Sequence, residues 1–207
     1  MKNKGLSVIL PIMFGYFVMG FVDIIGMATN NIKSDFAGLN DTVINLLASS
    51  CFLWCRIIAL PHGALMNRIG RKWTVLLSFL VQVLAFGLVL IDYSFTTVMI
   101  SLSLVGIGNT ILQVALNPLV ASVVDPARLT SVFTLGQFMK AVSSFIGPIL
   151  VGWFSTMAFG WKSIFVAYAA ISLLAFLWLL LTKVNEGERK EESASMVETF
   201  KLFADTR

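Results

Sequence analysis

Gly106-Ile107-Gly108-Asn109-Thr110-Ile111-Leu112-Gln113-Val114-Ala115-Leu116-Asn117-Pro118-Leu119 lies in an apolar run long enough to cross a bilayer as a helix, yet it carries three amides. Positions 109, 113 and 117 recur every fourth residue, so a helix sets them in one stripe. An amide left in hydrocarbon without a partner costs roughly 2–7 kcal/mol. The stripe is therefore expected against other polar helices or along a water-filled cavity. Interhelical glue is one reading. A substrate-cavity wall is the other, and three successive turns of amides favour it. Gly106, Gly108 and Pro118 allow close packing and a break in the helix ladder nearby.

Outward from this stretch, the composition is that of a membrane protein. The 207 residues are 57% hydrophobic and 13% charged, with a mean hydropathy of +0.87. A soluble domain carries about 25% charged residues. Six apolar segments are predicted as spans, over 6–32, 43–66, 73–91, 95–124, 129–154 and 162–181, forming an all-α six-helix transmembrane bundle over 1–181. The short loops make successive helices antiparallel neighbours. The first segment is too long for a signal peptide and lacks a small-x-small cleavage site. Cys51 and Cys55 lie four residues apart on one apolar helix with no histidine or acid beside them, which reads as packing rather than metal binding.

The net charge of +4 is a topology signal rather than a nucleic-acid footprint. Lys2, Lys4, Arg68, Arg71, Lys72, Arg128, Lys183, Arg189 and Lys190 fall on one side of the bundle. The opposite loops hold Lys33 and Lys162 with Asp35, Asp41 and Asp92. Both termini are thus expected in the cytoplasm of a multi-pass inner-membrane protein. Residues 182–207 read as a charged, solvated linker followed by an amphipathic helix. Ser195 and Glu198 open that helix as a capping box, and Met196, Phe200 and Phe203 share its apolar face on the membrane surface.

Gly63-Ala-Leu65-Met-Asn67-Arg68-Ile-Gly70-Arg71-Lys72 joins spans two and three and resembles the signature cytoplasmic loop of the major facilitator superfamily. Gly63, Asn67, Arg68, Gly70 and Arg71 are its gate residues by that resemblance. Asn67 stands where the superfamily usually has an aspartate, so a charge-paired gate does not carry over intact. The stripe from Gly106 to Pro118, taken with Gly136-Gln137-Phe-Met-Lys140-Ala-Val-Ser-Ser-Phe-Ile-Gly147-Pro148, is similar to the fucose–galactose–glucose:proton symporter family, in its Bacteroides-type branch. The likeness covers roughly residues 13 to 181. It implies the N-terminal six-helix half of a two-bundle transporter, with helices one, two, four and five on the central cavity and helices three and six toward lipid. The missing C-terminal half, membrane lipid, a sugar substrate and a coupling cation, most simply a proton, are the implied partners.

Three charges lie at membrane depth: Asp23, Arg56 and Lys140. By default such groups mark a substrate or ion path. Tyr16, Gly20, Asp23, Met27 and Asn30 share a helix face, which turns Asp23 toward the amide stripe. A structural pair of Asp23 with Lys140 or Arg56 is the competing reading, and Arg56 can also snorkel to the headgroups. At 1.5 Å per residue, Asp23 lies roughly 26 Å along helix one and Lys140 roughly 16 Å along helix five. The family's helix-four glutamate is replaced by Gln113, which removes a proton carrier there. Asn109, Gln113, Asn117, Gln137 and Lys140 are the expected sugar-binding residues, because amides and cations match sugar hydroxyls. Asp23 and Lys140 form the expected coupling unit.

No enzyme constellation is present. The glycine pair at 106 and 108 lacks a third glycine and a strand before it, and the one histidine, His62, borders a loop. Neither a metal nor a cofactor is implied. The sequence thus predicts half of a secondary active transporter of monosaccharides. The rival is a truncated bundle that moves nothing, or acts only with a partner half.

Overall fold

Capping side chains, proline and glycine set the helix ends. The computed structural model describes residues 4–157 and 160–186, with backbone alone at 4–6, 55, 56, 59–62 and 64. The first span is α1 (Lys4–Met19), a 3-10 turn over Gly20–Ile24 and α2 (Ile25–Asp35). α3 (Asp41–Ile69) starts behind Asn40, whose side chain accepts from the Thr42 amide at 3.1 Å. α4 (Arg71–Ile91) follows, and α5 (Phe95–Val123) starts behind Ser94, whose hydroxyl accepts from the Thr97 amide at 3.2 Å. Asp125 caps a 3-10 turn over Pro126–Arg128 that feeds α6 (Leu129–Ser155), and α7 (Ser163–Leu181) is last. Among the described residues five stretches are long and apolar enough to cross a membrane, where six spans were expected, with Asp41–Trp54 of α3 as a shorter apolar stretch, and there is no strand. The surface helix expected beyond Ser195 lies outside the described residues.

α1 and α5 form the middle of the bundle. α3 packs on α5, α6 packs on α1, and α4 and α7 pair behind them. In lipid this association depends on close van der Waals packing rather than on hydrophobic burial. Glycines make the approach possible. A Cβ at Gly106 would sit 2.3 Å from the Cys51 carbonyl oxygen of α3, and one at Gly136 would sit 2.7 Å from the Tyr16 ring. α4 turns Ser78, Phe79, Gln82 and Phe86 inward and leaves Trp73, Leu80 and Leu84 outside. α7 likewise buries Tyr168 and Ser172 while exposing Leu173, Leu174 and Leu177.

The first span departs from the uninterrupted helix expected over 6–32. A Cβ at Gly20 would lie 2.7 Å from both the Lys140 carbonyl oxygen and the Ser143 Cβ. The ladder tightens to 3-10 geometry at this crossing, and α2 resumes at Ile25.

The two ends of the bundle are fastened by polar contacts between segments distant in the chain. At one end Gly70 adopts φ 93°, ψ 160°, a region essentially confined to glycine. It lets α3 stop and α4 start with one residue between them. The Glu186 carboxylate accepts from the Arg71 and Lys72 amides at 2.9 and 2.8 Å, which are free donors of the first turn of α4. Lys72 returns the contact: its Nζ donates to the Leu180 and Thr182 carbonyls at 3.1 and 2.9 Å, at the end of α7. An acid at a helix start and a cation at a helix end both suit the helix dipole. Glu186 therefore does more than the solvated linker residue expected from its charged neighbours.

At the other end Asp35 Oδ2 accepts from the Tyr93 hydroxyl at 2.7 Å and from Trp161 Nε1 at 3.3 Å, and Lys162 lies 3.4 Å away. Lys162 also sits 3.5 Å above the Tyr93 ring. Burial, and then the adjacent Asp35 carboxylate, hold the Tyr93 hydroxyl far above its ordinary range. Lys33 pairs with Asp41 at 2.7 Å. Donated hydrogen bonds from Thr97 and Ser94 lower the Asp92 carboxyl below its ordinary value.

Candidate functional site

The amide stripe does not form one surface. Four residues advance a helix by about 40° beyond a full turn, so an every-fourth pattern winds around the axis. Asn109 is 3% exposed, belongs to the interior, and its Oδ1 has no partner among the described residues. Gln113 and Asn117 are exposed on the open side of α5. The expectation of a three-amide wall is thereby corrected to two exposed amides and one packed within the bundle.

Asn117 is held from the first span. The Tyr16 hydroxyl donates to Asn117 Oδ1 at 2.5 Å, and Tyr16 itself is fully buried with its ring against Gly136 of α6. The ladder continues outward along the same two elements. Gly20 meets the Lys140 carbonyl and Ser143, and Asp23 Oδ2 accepts from Ser144 Oγ at 2.5 Å. These contacts fix the register of α6 along the first span and lay Asn117, Lys140 and Asp23 along one seam.

This register differs from the one counted out from the helix starts. Asp23 is level with Ser144 and so lies about one turn, 6 Å, beyond Lys140. Among the described residues the ion pairs are Lys33–Asp41 and Lys162–Asp35, so Asp23 and Lys140 are not joined in this structure. Asp23 is exposed and Lys140 is half-buried. Gln137, next to Gly136, is exposed as well. The helix face expected on the first span divides too. Tyr16 and Gly20 are buried against α6, whereas Asp23, Met27 and Asn30 are exposed. The Arg56 side chain is outside the described set.

At the Gly70 end, Asn67 and Arg68 are exposed, Gly63 has open space where a side chain would stand, and Arg71 begins α4. Glu186 brings a carboxylate to this loop from the far side of α7.

Three contributors were not assigned as site residues, Tyr16, Ser144 and Glu186, although Tyr16 was placed on the helix face shared with Asp23. Ser144 had a signal, since it lies one turn from Lys140 in the quoted Gly136 to Pro148 motif. Among the described residues no group of three histidine, cysteine or acidic side chains could hold a metal ion. The seam carries an amide, a lysine and a carboxylate on successive turns of neighbouring helices.

Solved structures reproduce the fold. A bacterial homologue of the human lysosomal transporter Spinster superposes with a TM-score of 0.73 at 18% identity, covering 99% of this chain and 50% of that one. A proton:xylose symporter superposes with a TM-score of 0.69 at 16% identity, over 84% of this chain and 44% of that one. Among curated relatives, the hexuronate transporter of Bacillus subtilis is 27% identical over 92% of this chain and 46% of its own length. A probable nitrate transporter of Staphylococcus epidermidis is 31% identical over 65% of this chain and 34% of its own. A glucose/galactose transporter of Brucella abortus is 29% identical over 72% and 36%. The chain thus spans a third to a half of the curated relatives it matches. Residues 12–205 match the Major Facilitator Superfamily, and the chain, an all-α membrane bundle with the architecture of half that fold, belongs to this family.

Proposed function

We propose that this chain is the N-terminal six-helix half of a secondary active transporter that moves a monosaccharide or a close derivative across the bacterial inner membrane by proton symport. The observation that carries the reading is the seam of Asn117, Lys140 and Asp23 between α5, α6 and the first span, with Gln113 and Gln137 exposed on the same two helices. Polar and charged groups exposed at membrane depth are costly unless they line a solute path. The substrates named for the relatives, hexuronate and glucose/galactose, support a sugar-sized solute. The basic Gly70 loop supports cytoplasmic termini.

The second bundle belongs to the same proposal. Leu135, Phe138, Phe145, Ile149 and Trp153 of α6 are exposed, as are Phe52, Leu53 and Trp54 of α3. The seam lies on α5, α6 and the first span, and a second six-helix bundle would enclose it as a cavity. The chain alone is then expected to insert without saturable sugar uptake. Saturable uptake by the purified chain would replace this reading with a homodimeric transporter.

Asp23 is assigned the coupling proton. A proton on Asp23 removes a negative charge one turn from Lys140 and so favours substrate at Lys140, which links protonation to binding. In the protein as its gene encodes it, Asp23→Asn is expected to abolish pH-driven accumulation in proteoliposomes while sugar counterflow persists. Normal pH-driven accumulation by that variant would remove Asp23 from the mechanism.

A further inference from the structure

We infer that Tyr16, a buried residue that does not face the solute path, sets the substrate specificity of the seam by fixing which end of the Asn117 amide is presented. This rests on the binding face proposed above. A free asparagine offers a substrate both an acceptor and donors, and so does not distinguish a hydroxyl from an anion. Here the choice is already made. The Tyr16 hydroxyl is sealed from solvent, and its partner is Asn117 Oδ1. Their separation of 2.5 Å suits O–H···O and is shorter than an N–H···O bond adopts, so the oxygen and not the nitrogen faces Tyr16. Rotating the amide would let its nitrogen donate to the hydroxyl oxygen but would take the acceptor away from the buried O–H proton. Asn117 is thereby held with its N–H groups turned to the open side.

The adjoining groups act in the same sense. Gly136 packs on the Tyr16 ring, and Lys140 follows Gly136 by one turn on α6, so its backbone stands about 6 Å along the seam, a span that a lysine side chain can bridge toward the Asn117 donors. Asp23, the carboxylate of the seam, lies a turn further on and is engaged by Ser144 Oγ rather than by Lys140. The two N–H groups of the Asn117 amide and the Lys140 ammonium are donors only, with no acceptor among them. Their complement is a planar oxyanion, carried either as the carboxylate of a sugar acid or as a free inorganic ion. A neutral hexose, whose hydroxyls must also donate, meets this set less well.

The test uses the protein as its gene encodes it, in nanodiscs, with D-glucuronate, D-glucose and nitrate as probes in equilibrium binding. Glucuronate is expected to bind about tenfold tighter than glucose, the difference a charge-assisted hydrogen bond makes. Tyr16→Phe keeps the ring against Gly136 and frees the amide, and is expected to bring that ratio toward one by weakening glucuronate. Asn117→Asp still accepts from Tyr16 but replaces the N–H groups with a carboxylate oxygen, and is expected to abolish glucuronate binding. Nitrate binding that Asn117→Asp abolishes, without glucuronate binding, would uphold the donor set and assign the site to the inorganic ion, removing the sugar from the proposed function. Equal affinities for glucose and glucuronate, or an equal loss of both in Tyr16→Phe, would overturn the role of Tyr16 while leaving the binding face standing. Binding that ignores Asn117→Asp would overturn both.

Discussion

α5 and α6 are alike in length and apolar character and opposites in the structure. They are 29 and 27 residues long, both apolar, and each has one internal proline. α5 buries fourteen residues; α6 buries four, namely Gly136, Ser143, Gly147 and Val151. Hydrophobic content cannot produce this contrast, because in a membrane an apolar side chain is equally at ease against lipid and protein. The difference comes from small residues in the right places. Gly106 and Gly108 bring α3 and α4 to contact distance on two sides of α5, whereas α6 meets the rest of the bundle along the single edge of Gly136, Ser143 and Gly147. The helix enclosed by neighbours anchors the fold. The helix left open carries one side of the seam.

The largest test of this contrast exchanges glycine for valine on each helix. Gly106→Val places side-chain atoms where a Cβ alone is 2.3 Å from a backbone oxygen that cannot turn aside. Overpacking costs typically about 1–3 kcal/mol, and backbone resistance puts this site at or above the upper end. Loss of the monodisperse peak in size-exclusion chromatography is expected. Gly152→Val of α6 meets nothing within 4 Å and should elute as the parent does. Equal behaviour of the two variants would remove the distinction between the helices.

The next effect is read in binding rather than folding. Asn117→Ala removes an exposed amide of α5, and substrate affinity should fall by about 1–3 kcal/mol while insertion is retained. Asn109→Ala, in the same stripe but within the bundle, should shift thermal stability and leave affinity unchanged. If Asn117→Ala costs expression and the surviving protein binds normally, Asn117 is interhelical glue and α5 has no solute-facing side.

What the sequence made legible follows the range of each interaction. Caps, proline and the glycine turn act within four residues, so the starts behind Asn40 and Ser94 and the turn at Gly70 have local signatures. Apolar composition is legible as directly, and five membrane-length apolar stretches stand among the described residues where six were expected. The rest depends on partners about a hundred residues away. Tyr16 and Asn117 are 101 positions apart, Asp23 and Ser144 are 121, and Arg71 and Glu186 are 115. No local pattern encodes which turn of α6 lies beside Asp23, so counting from helix ends misplaced Lys140 against it. The every-fourth spacing of Asn109, Gln113 and Asn117 was visible, but the drift that buries its first member depends on where α3 and α4 press. Glu186 was hidden by its charged neighbours.

A smaller effect concerns the closed side behind α5. Glu186→Ala uncaps the Arg71 and Lys72 amides at the start of α4 and is expected to cost about 1 kcal/mol. A lowered midpoint in thermal unfolding would show it. An unchanged midpoint would mean that water replaces the carboxylate without loss, and that the Lys72 bonds and the apolar faces suffice to hold α4 to α7.

The smallest effect is the sharpest statement about α6. Phe145 is 73% exposed, whereas Phe79 of α4 is fully buried. Removing a buried phenylalanine costs about 3–5 kcal/mol because a cavity is left in its place. Removing an exposed one leaves no cavity, since detergent or lipid fills the space. In the chain purified alone, Phe145→Ala should therefore change stability by no more than about 0.5 kcal/mol. The same substitution also reports on the proposed partner. If a second bundle covers this face, Phe145→Ala should be destabilising in the complete assembly and silent in the isolated chain. A loss of equal size in both would mean that copies of this chain already cover each other's α6, and the open side of the comparison would be closed. No loss in either would leave α6 facing lipid, with the seam along its edge unenclosed.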